Sequence, residues 1–391
     1  MIFTVVLIIF LIGFGVWEYR SHQKNVLSIP LRVHVNGTRG KSSVTRLITG
    51  GMRGGGIRTM GKTTGTKPRI IYPGGNEVPI FRVGKANIIE QLKILRNAVM
   101  HEVHALVVEC MAVLPQNQLL AEHHMIHSTV GVITNVRADH LDEMGPTIED
   151  VARSLSNTIP KNGVVFTCEE KYFPIFEEVG KKRNCQVYLV RHDYVSDEMM
   201  SGFSYVEHKD NVALALAVCE HLGVSHVEAL KGMHRALPDP GVLRIFTIHH
   251  YEKQIEFVNA FAANDPDSYI IIWNMLKNRF NDQKKVVVLV NCRKDRIQRT
   301  ESLAELIAKN LPADHFILVG EFTTALLNRA VALGLPASKI SNLAEELPEG
   351  VFQKVVSLTD TSSIVIGIGN IVGFGEEILT NFTNRGKELV Y

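Results

Sequence analysis

The stretch Asn36-Gly37-Thr38-Arg39-Gly40-Lys41-Ser42-Ser43 constrains this chain most, because it joins the apolar run LRVHVN (31–36) to the start of a helical pattern. A strand that feeds a helix through small glycines belongs to α/β architecture. The glycines let backbone N–H groups close around phosphate oxygens, and the helix N-terminus adds its positive dipole end. In this arrangement Lys41 is expected to reach β- and γ-phosphates, and the Ser42 hydroxyl to ligate Mg2+. The Walker pattern is incomplete, since Val35 stands where its first glycine belongs. A glycine-rich turn without nucleotide is the competing reading, and the strand–loop–helix context weighs against it.

The rest of the chain keeps the same rhythm. The runs HALVVE (104–109), TVGVIT (129–134), GVVFTC (163–168) and QVYLV (186–190) read as buried parallel strands. Helical stretches such as 87–100 and 147–158 separate them. Leu237-Pro238-Asp239-Pro240-Gly241 then stops a helix ending near Ala236. A second α/β set follows, with runs at 255–262, 285–292, 315–320 and 363–369. A chain of 391 residues is also too long for one core. The expected organisation is a P-loop-type domain over 30–236 and a second, smaller α/β domain over 244–391, preceded by an apolar segment over 1–19.

That segment carries no charge from Ile2 to Trp17, and Met1 and Tyr19 bring it close to the roughly 20 residues that cross a bilayer. Trp17 and Tyr19 then fall at interfacial depth, and Arg20 and Lys24 keep the body on the cytoplasmic side. No basic stretch precedes the run and no small-residue cleavage site follows it, which argues against a cleaved signal. The alternative is a buried first helix of a soluble domain. Lys+Arg 42 against Asp+Glu 40 leaves a net charge of +2, so the electrostatics make no case for nucleic acid. The five cysteines form no C-x-x-C pair, as suits a reducing compartment.

The form of the loop, G-T-x-G-K-S directly after a strand, resembles the ATP loop of the Mur ligase superfamily, which includes the folylpolyglutamate synthases. The resemblance implies nucleotide contacts from Gly37, Thr38, Arg39, Gly40, Lys41, Ser42 and Ser43. Later segments keep the family's order. Glu109 closes its strand where the family places a Mg2+-binding glutamate. The run from Thr134 to Asp142 is similar to the signature N-[IV]-x-x-D-H-[LM]-D, which implies that His140 binds the second metal and that Asp139 orients its ring. Pro240 to Arg244 resembles the G-R-x-E entry to the last domain and implies that Arg244 reaches the ATP phosphates when the domains close. Asn264-Asp265-Pro266-Asp267-Ser268 is similar to D-Y-A-H-N-P-D-S without its leading Asp-Tyr, so the ribose contact falls to Asn259 or Asn264. Asn291 to Arg296 resembles the G-x-x-R-D-R loop. The carbamylated lysine of many members has no counterpart. Ser154 and Leu155 stand in its stretch, and the nearest lysine, Lys161, follows Pro160.

The UDP-binding domain of the cell-wall enzymes is replaced by the apolar segment. That arrangement looks like the membrane-associated ligases of poly-γ-glutamate synthesis, and Gly61-Lys62-Thr63-Thr64-Gly65-Thr66 fits that branch. The resemblance implies ATP and Mg2+ as cofactors, with glutamate and its growing chain as substrates. The implied partners are other membrane synthesis and export subunits or a second copy of the chain. Two other classes stay open: a P-loop kinase, and a non-catalytic ATP-binding component of an export complex. Three further signals are expected to be bland. His123, His124 and His127 read as a solvated helix face, Gly367 to Gly373 as a close-packed strand–helix turn, and Cys110 and Cys292 as packed thiols.

Overall fold

The computed structural model describes residues 2–65, 68–82, 84, 86–203, 205, 207–238, 243–261, 266–276, 284–293, 297–344, 346–371 and 373–388. Asn264, Asp265, residues 240–242 and residues 294–296 of the segments named above lie outside them. The chain forms two compact units. One comprises residues 1–202 and 208–239, the other residues 203–207 and 240–391.

In the first unit, the strands are β1 (Leu31–Asn36), β2 (Thr59–Lys62), β3 (Arg69–Ile71), β4 (Glu77–Pro79), β5 (Ala105–Glu109), β6 (Val130–Ile133), β7 (Val164–Thr167) and β8 (Gln186–Leu189). They form one sheet in the order β4-β3-β2-β5-β1-β6-β7-β8. β1 lies between β5 and β6, parallel to both, with Val35 opposite Glu109 and Val132. After β1 the chain crosses to β2, beyond β5, and after β5 it crosses back to β6. The loop after β1 therefore opens at a topological switch point, where open α/β sheets bind ligands. β3 pairs antiparallel with both β2 and the edge strand β4, a feature the short sequences RII and EVP gave no periodicity to reveal.

The apolar N-terminal run is a helix, Ile2–Leu27, long and apolar enough to cross a membrane by length and composition. Its first part is exposed throughout, whereas His22 and Val26 are buried. Val26 and Ile29 enter a core with Ile94, Leu95, Ala98 and Ile126. The Arg32 guanidinium donates to the carbonyls of Val26 and Ile29 at the helix end, where orphan acceptors need partners. Glu18 and Arg96 add an ion pair at 3.1 Å. The helix is thus rooted in the body by its last turns and not carried on a loose linker.

The second unit holds β9 (Arg244–His250), β10 (Lys253–Asn259), β11 (Lys285–Cys292), β12 (His315–Gly320), β13 (Ile340–Leu343), β14 (Ser362–Gly369) and β15 (Gly386–Glu388), in the order β13-β12-β11-β14-β10-β9-β15. β9 and β15 are antiparallel to their neighbours; the other strands run parallel. The apolar runs are continuous because both faces are covered. Val286, Val288 and Val290 enter one core, while Val287 and Leu289 enter the other.

Of the Gly367–Gly373 segment expected to be close-packed, Gly367 and Gly369 are so, a Cβ at Gly373 would meet nothing within 4 Å, and Val372 lies outside the described residues. Gly369 has φ +95°, and a Cβ there would lie 2.2 Å from the Asn291 carbonyl oxygen. Its N–H donates to the Tyr269 hydroxyl at 2.8 Å. Gly369→Ala is expected to destabilise this unit by about 2–3 kcal/mol, combining backbone strain with overpacking. Calorimetry of the variant checks it through a lowered unfolding transition.

Candidate active site

The loop after β1 is held by the segment that follows β6. Asn135 clamps it from both ends of its amide: its Oδ1 accepts from the Thr38 hydroxyl at 2.7 Å and the Arg39 N–H at 3.0 Å, and its Nδ2 donates to the Arg39 carbonyl at 3.1 Å. The Thr134 hydroxyl donates to the same carbonyl. Gly37, at φ +133°, brings the loop so close that a Cβ would lie 2.0 Å from Thr134 Oγ1. The helix Lys41–Gly54 starts directly after Gly40. Its first-turn amides lack intrahelical partners by geometry, which makes them anion donors. Lys41 Nζ donates to the carbonyls of Gly37 at 2.7 Å and Thr38 at 3.1 Å, so the ammonium sits on the loop it is expected to serve.

Ser42 and Glu109 meet. The Ser42 hydroxyl donates to Glu109 Oε2 at 2.8 Å, and the Thr64 backbone N–H donates to the same oxygen at 2.6 Å. Glu109 is buried, and the Gln91 side chain holds its carbonyl at 3.1 Å. Asp139 lies 3.6 Å from the Arg39 guanidinium, which ties the segment after β6 to the loop a second time. The orienting role expected of Asp139 is not seen as a hydrogen bond. Its carboxylate is 4.0 Å from His140 Nε2, beyond bonding reach, while His140 Nδ1 faces Glu143 at 3.6 Å. His140 is half exposed at φ +50°. In the second unit, Arg244 stands opposite Asn259 on adjacent antiparallel strands, and Asn259 is buried with Oδ1 accepting from the Phe261 N–H at 3.4 Å.

Beside Glu109 lies a charge cluster that the sequence reading missed. Lys62, fully buried at the end of β2, pairs with Glu90 at 2.8 Å and approaches the Met111 sulfur at 3.6 Å. Arg82 grips the same Glu90 carboxylate with two bonds, at 2.7 and 3.0 Å. Burial works against charge on Glu90, yet Arg82 and Lys62 outweigh it and hold the carboxyl at about 2. Burial pulls Lys62 below its ordinary value, and Glu90 opposes that pull. The cluster fixes the strand end that leads to Thr64, hence the amide on Glu109. The only sequence signal was Lys62 inside a run of glycines and threonines, since Glu90 and Arg82 are remote in the chain.

One strand position below Glu109, the sheet buries a second charged pair. His34 on β1 contacts Glu122 at 2.8 Å, and Ser128 donates twice more to that carboxylate from its N–H and hydroxyl. Burial opposes charge on His34, but Cys110 and Glu122 push its pKa up to about 10. Glu122 belongs to a π-helical turn, Ala121–Ile126, and His123 and His127 are half-buried. The expected solvated helix face holds for His124, which is exposed, and is corrected for His123 and His127, which turn inward with the segment as Glu122 reaches His34. Cys292 is packed as expected, its thiol pushed up to about 12 by burial.

The donor set suits magnesium. Among the described residues no three His, Cys, Asp or Glu side chains gather as a metal cage. A carboxylate and a hydroxyl 2.8 Å apart beside a phosphate loop match a cation whose remaining ligands are water and phosphate oxygens.

Comparison with known proteins agrees with this geometry. Residues 35–236 match the Mur ligase middle domain, and residues 245–385 match the poly-gamma-glutamate synthase CapB C-terminal domain. The chain is 41% identical over 383 residues to the capsule biosynthesis protein CapB of Bacillus anthracis, covering 97% of this chain and 82% of that protein. It is 36% identical over 379 residues to the PGA synthase CapB of Bacillus subtilis, covering 96% of each. Among solved structures it is similar to a bifunctional folylpolyglutamate synthase/dihydrofolate synthase from Yersinia pestis complexed with AMPPNP and Mn, at TM-score 0.68 and 16% identity over 90% of this chain and 89% of that one. It is also similar to MurF from Acinetobacter baumannii, at TM-score 0.66 and 16% identity over 93% and 78%. At those identities the likeness is one of fold.

Two predictions follow from the buried charges. Lys62→Met leaves Glu90 short of a buried partner, so it is expected to cost about 3 kcal/mol in urea unfolding and to raise the Mg2+ concentration needed for half-maximal turnover. His34 is protonated in the fold up to about 10 against 6.5 ordinarily. The folded state then binds the extra proton, so stability is full below about 6.5 and falls as pH rises toward 10. Melting curves across that range check it, and His34→Gln is expected to flatten the slope.

Proposed function

The chain belongs to the Mur ligase family, in its poly-gamma-glutamate synthase branch, and from that membership we propose that it is an ATP-dependent ligase joining glutamate into a γ-linked polymer. The observation that carries this reading is the Ser42–Glu109 contact beside Lys41, a phosphate loop and a buried carboxylate brought together at one sheet edge.

The reaction begins when a carboxylate oxygen at the end of the glutamate chain attacks the γ-phosphorus of ATP. The bond to the β–γ bridging oxygen breaks, and ADP and an acyl phosphate form. The amine of an incoming glutamate then attacks the acyl carbon, phosphate leaves with the C–O bond electrons, and the amine loses a proton to give the amide. Lys41 would leave the loop carbonyls for the β- and γ-phosphates, and the first-turn amides of its helix would orient the triphosphate. Ser42, Glu109 and His140 would hold Mg2+, which supplies neutralising charge on the phosphates when bound. Arg244 and Asn259 are proposed as further nucleotide contacts. The helix Ile2–Leu27 is proposed to anchor the protein in the cell membrane with its body in the cytoplasm, beside other synthesis and export subunits.

A kinase would form ADP with a hydroxyl acceptor, and a non-catalytic export component would bind ATP but form no ADP, with or without glutamate. Purified protein with ATP, Mg2+ and glutamate is expected to release ADP only when glutamate is present, with products at glutamate-residue spacing by mass spectrometry. Lys41→Ala is expected to lower that rate by about a hundredfold or more, from lost electrostatic stabilisation. ADP release indifferent to glutamate would sink the ligase reading.

A further inference from the structure

At the N-terminal end of β1, opposite the phosphate loop, lies a cavity of about 310 Å3 bordered by Arg32, His123, His127, Ser128, Lys161 and Asn162. Its chemistry favours an anion. The Asn162 amide oxygen already accepts from Asn184 at 2.9 Å, so the group Asn162 has left to offer is its NH2. Lys161 is exposed at the rim, and Arg32 lines the wall. Glu122 also borders the cavity, but its carboxylate is met by His34 at 2.8 Å and by Ser128 at 2.9 Å. Arg32 and Lys161 outnumber it, so the balance of charge around the cavity is positive. Burial is the main reason that His123 is held down at about 4; Arg183 and Lys161 add to it, and Glu122 opposes it. His123 Nε2 is buried and without a hydrogen-bond partner.

The cavity adjoins the root of the apolar helix. Arg32 bonds the Val26 and Ile29 carbonyls, and Gln23 meets His127 at 3.4 Å. From Trp17, the end of the uncharged run, to Gln23 is about 9 Å of helix. The headgroup layer extends about 5–8 Å beyond the hydrocarbon. With the apolar run in the bilayer, the cavity edge lies just beneath the headgroups, where each basic side chain gains from anionic lipid.

We propose that this cavity binds the phosphate of an anionic phospholipid and so seats the body on the membrane surface. The proposal rests on the membrane reading of Ile2–Leu27. A free phosphate has the same local chemistry, and the test separates the two sources.

The full-length protein in neutral detergent is titrated with dihexanoyl phosphatidylglycerol, dihexanoyl phosphatidylcholine and inorganic phosphate, following binding by calorimetry. Phosphatidylglycerol is expected to bind at least about tenfold more tightly than either alternative. Lys161→Glu is expected to erase that preference while glutamate-dependent ADP release stays unchanged, which confirms a folded protein. Equal binding of phosphatidylcholine, equal binding of inorganic phosphate, or an unaltered preference in Lys161→Glu overturns the lipid site. Sedimentation with phosphatidylcholine vesicles tests the anchor separately. A chain that stays in the supernatant yet prefers phosphatidylglycerol overturns the membrane reading and with it the seating role, although the anion cavity stands.

Discussion

One carboxylate oxygen organises the first unit. Glu109 Oε2 accepts from the Ser42 hydroxyl, on the helix that follows β1, and from the Thr64 amide, beyond β2. A buried carboxylate is costly unless its lone pairs find donors, so these three chain segments are drawn to one point. The loop at that point is kept open for anions by another device, the two-sided amide of Asn135. Together they preorganise donors before any nucleotide arrives, which is what phosphoryl transfer demands of a protein.

The ions around this centre divide into two groups with different work. Lys62, Glu90 and Arg82 form a compact set beside Glu109, and its geometry sets the strand end that leads to Thr64. His34 and Glu122 lie deeper and pull a π-helical turn inward. That turn in turn brings His127 against Gln23 at the helix root. A π-helical turn is often found near function, and here it lies between the first unit's sheet and the root of the apolar helix.

Much of the fold was legible because buried parallel strands need continuous apolar runs. β1, β11 and β12 were read at their observed limits, LRVHVN, KVVVLVNC and HFILVG. The short antiparallel strands β3, β4 and β15 were not read, since three residues carry no period. In the site, phosphate chemistry singled out Lys41 and Ser42 and the family resemblance singled out Glu109, and the structure brings Ser42 and Glu109 into contact beside Lys41. Asn135 was read as part of a metal signature, although its observed contacts are to the loop.

The sequence by itself determined the alternation of strands and helices, the position of the phosphate loop, and an N-terminal helix long and apolar enough to cross a membrane. Each of these is local: periodicity, turn chemistry and hydropathy act within a few residues of one another. Only the tertiary structure decided that Lys62 faces Glu90, that His34 faces Glu122, and that the helix is rooted through Val26 and Arg32. Those contacts join residues far apart in the chain, and burying a charge tells nothing about which distant partner will neutralise it until the sheet order has placed the strands side by side.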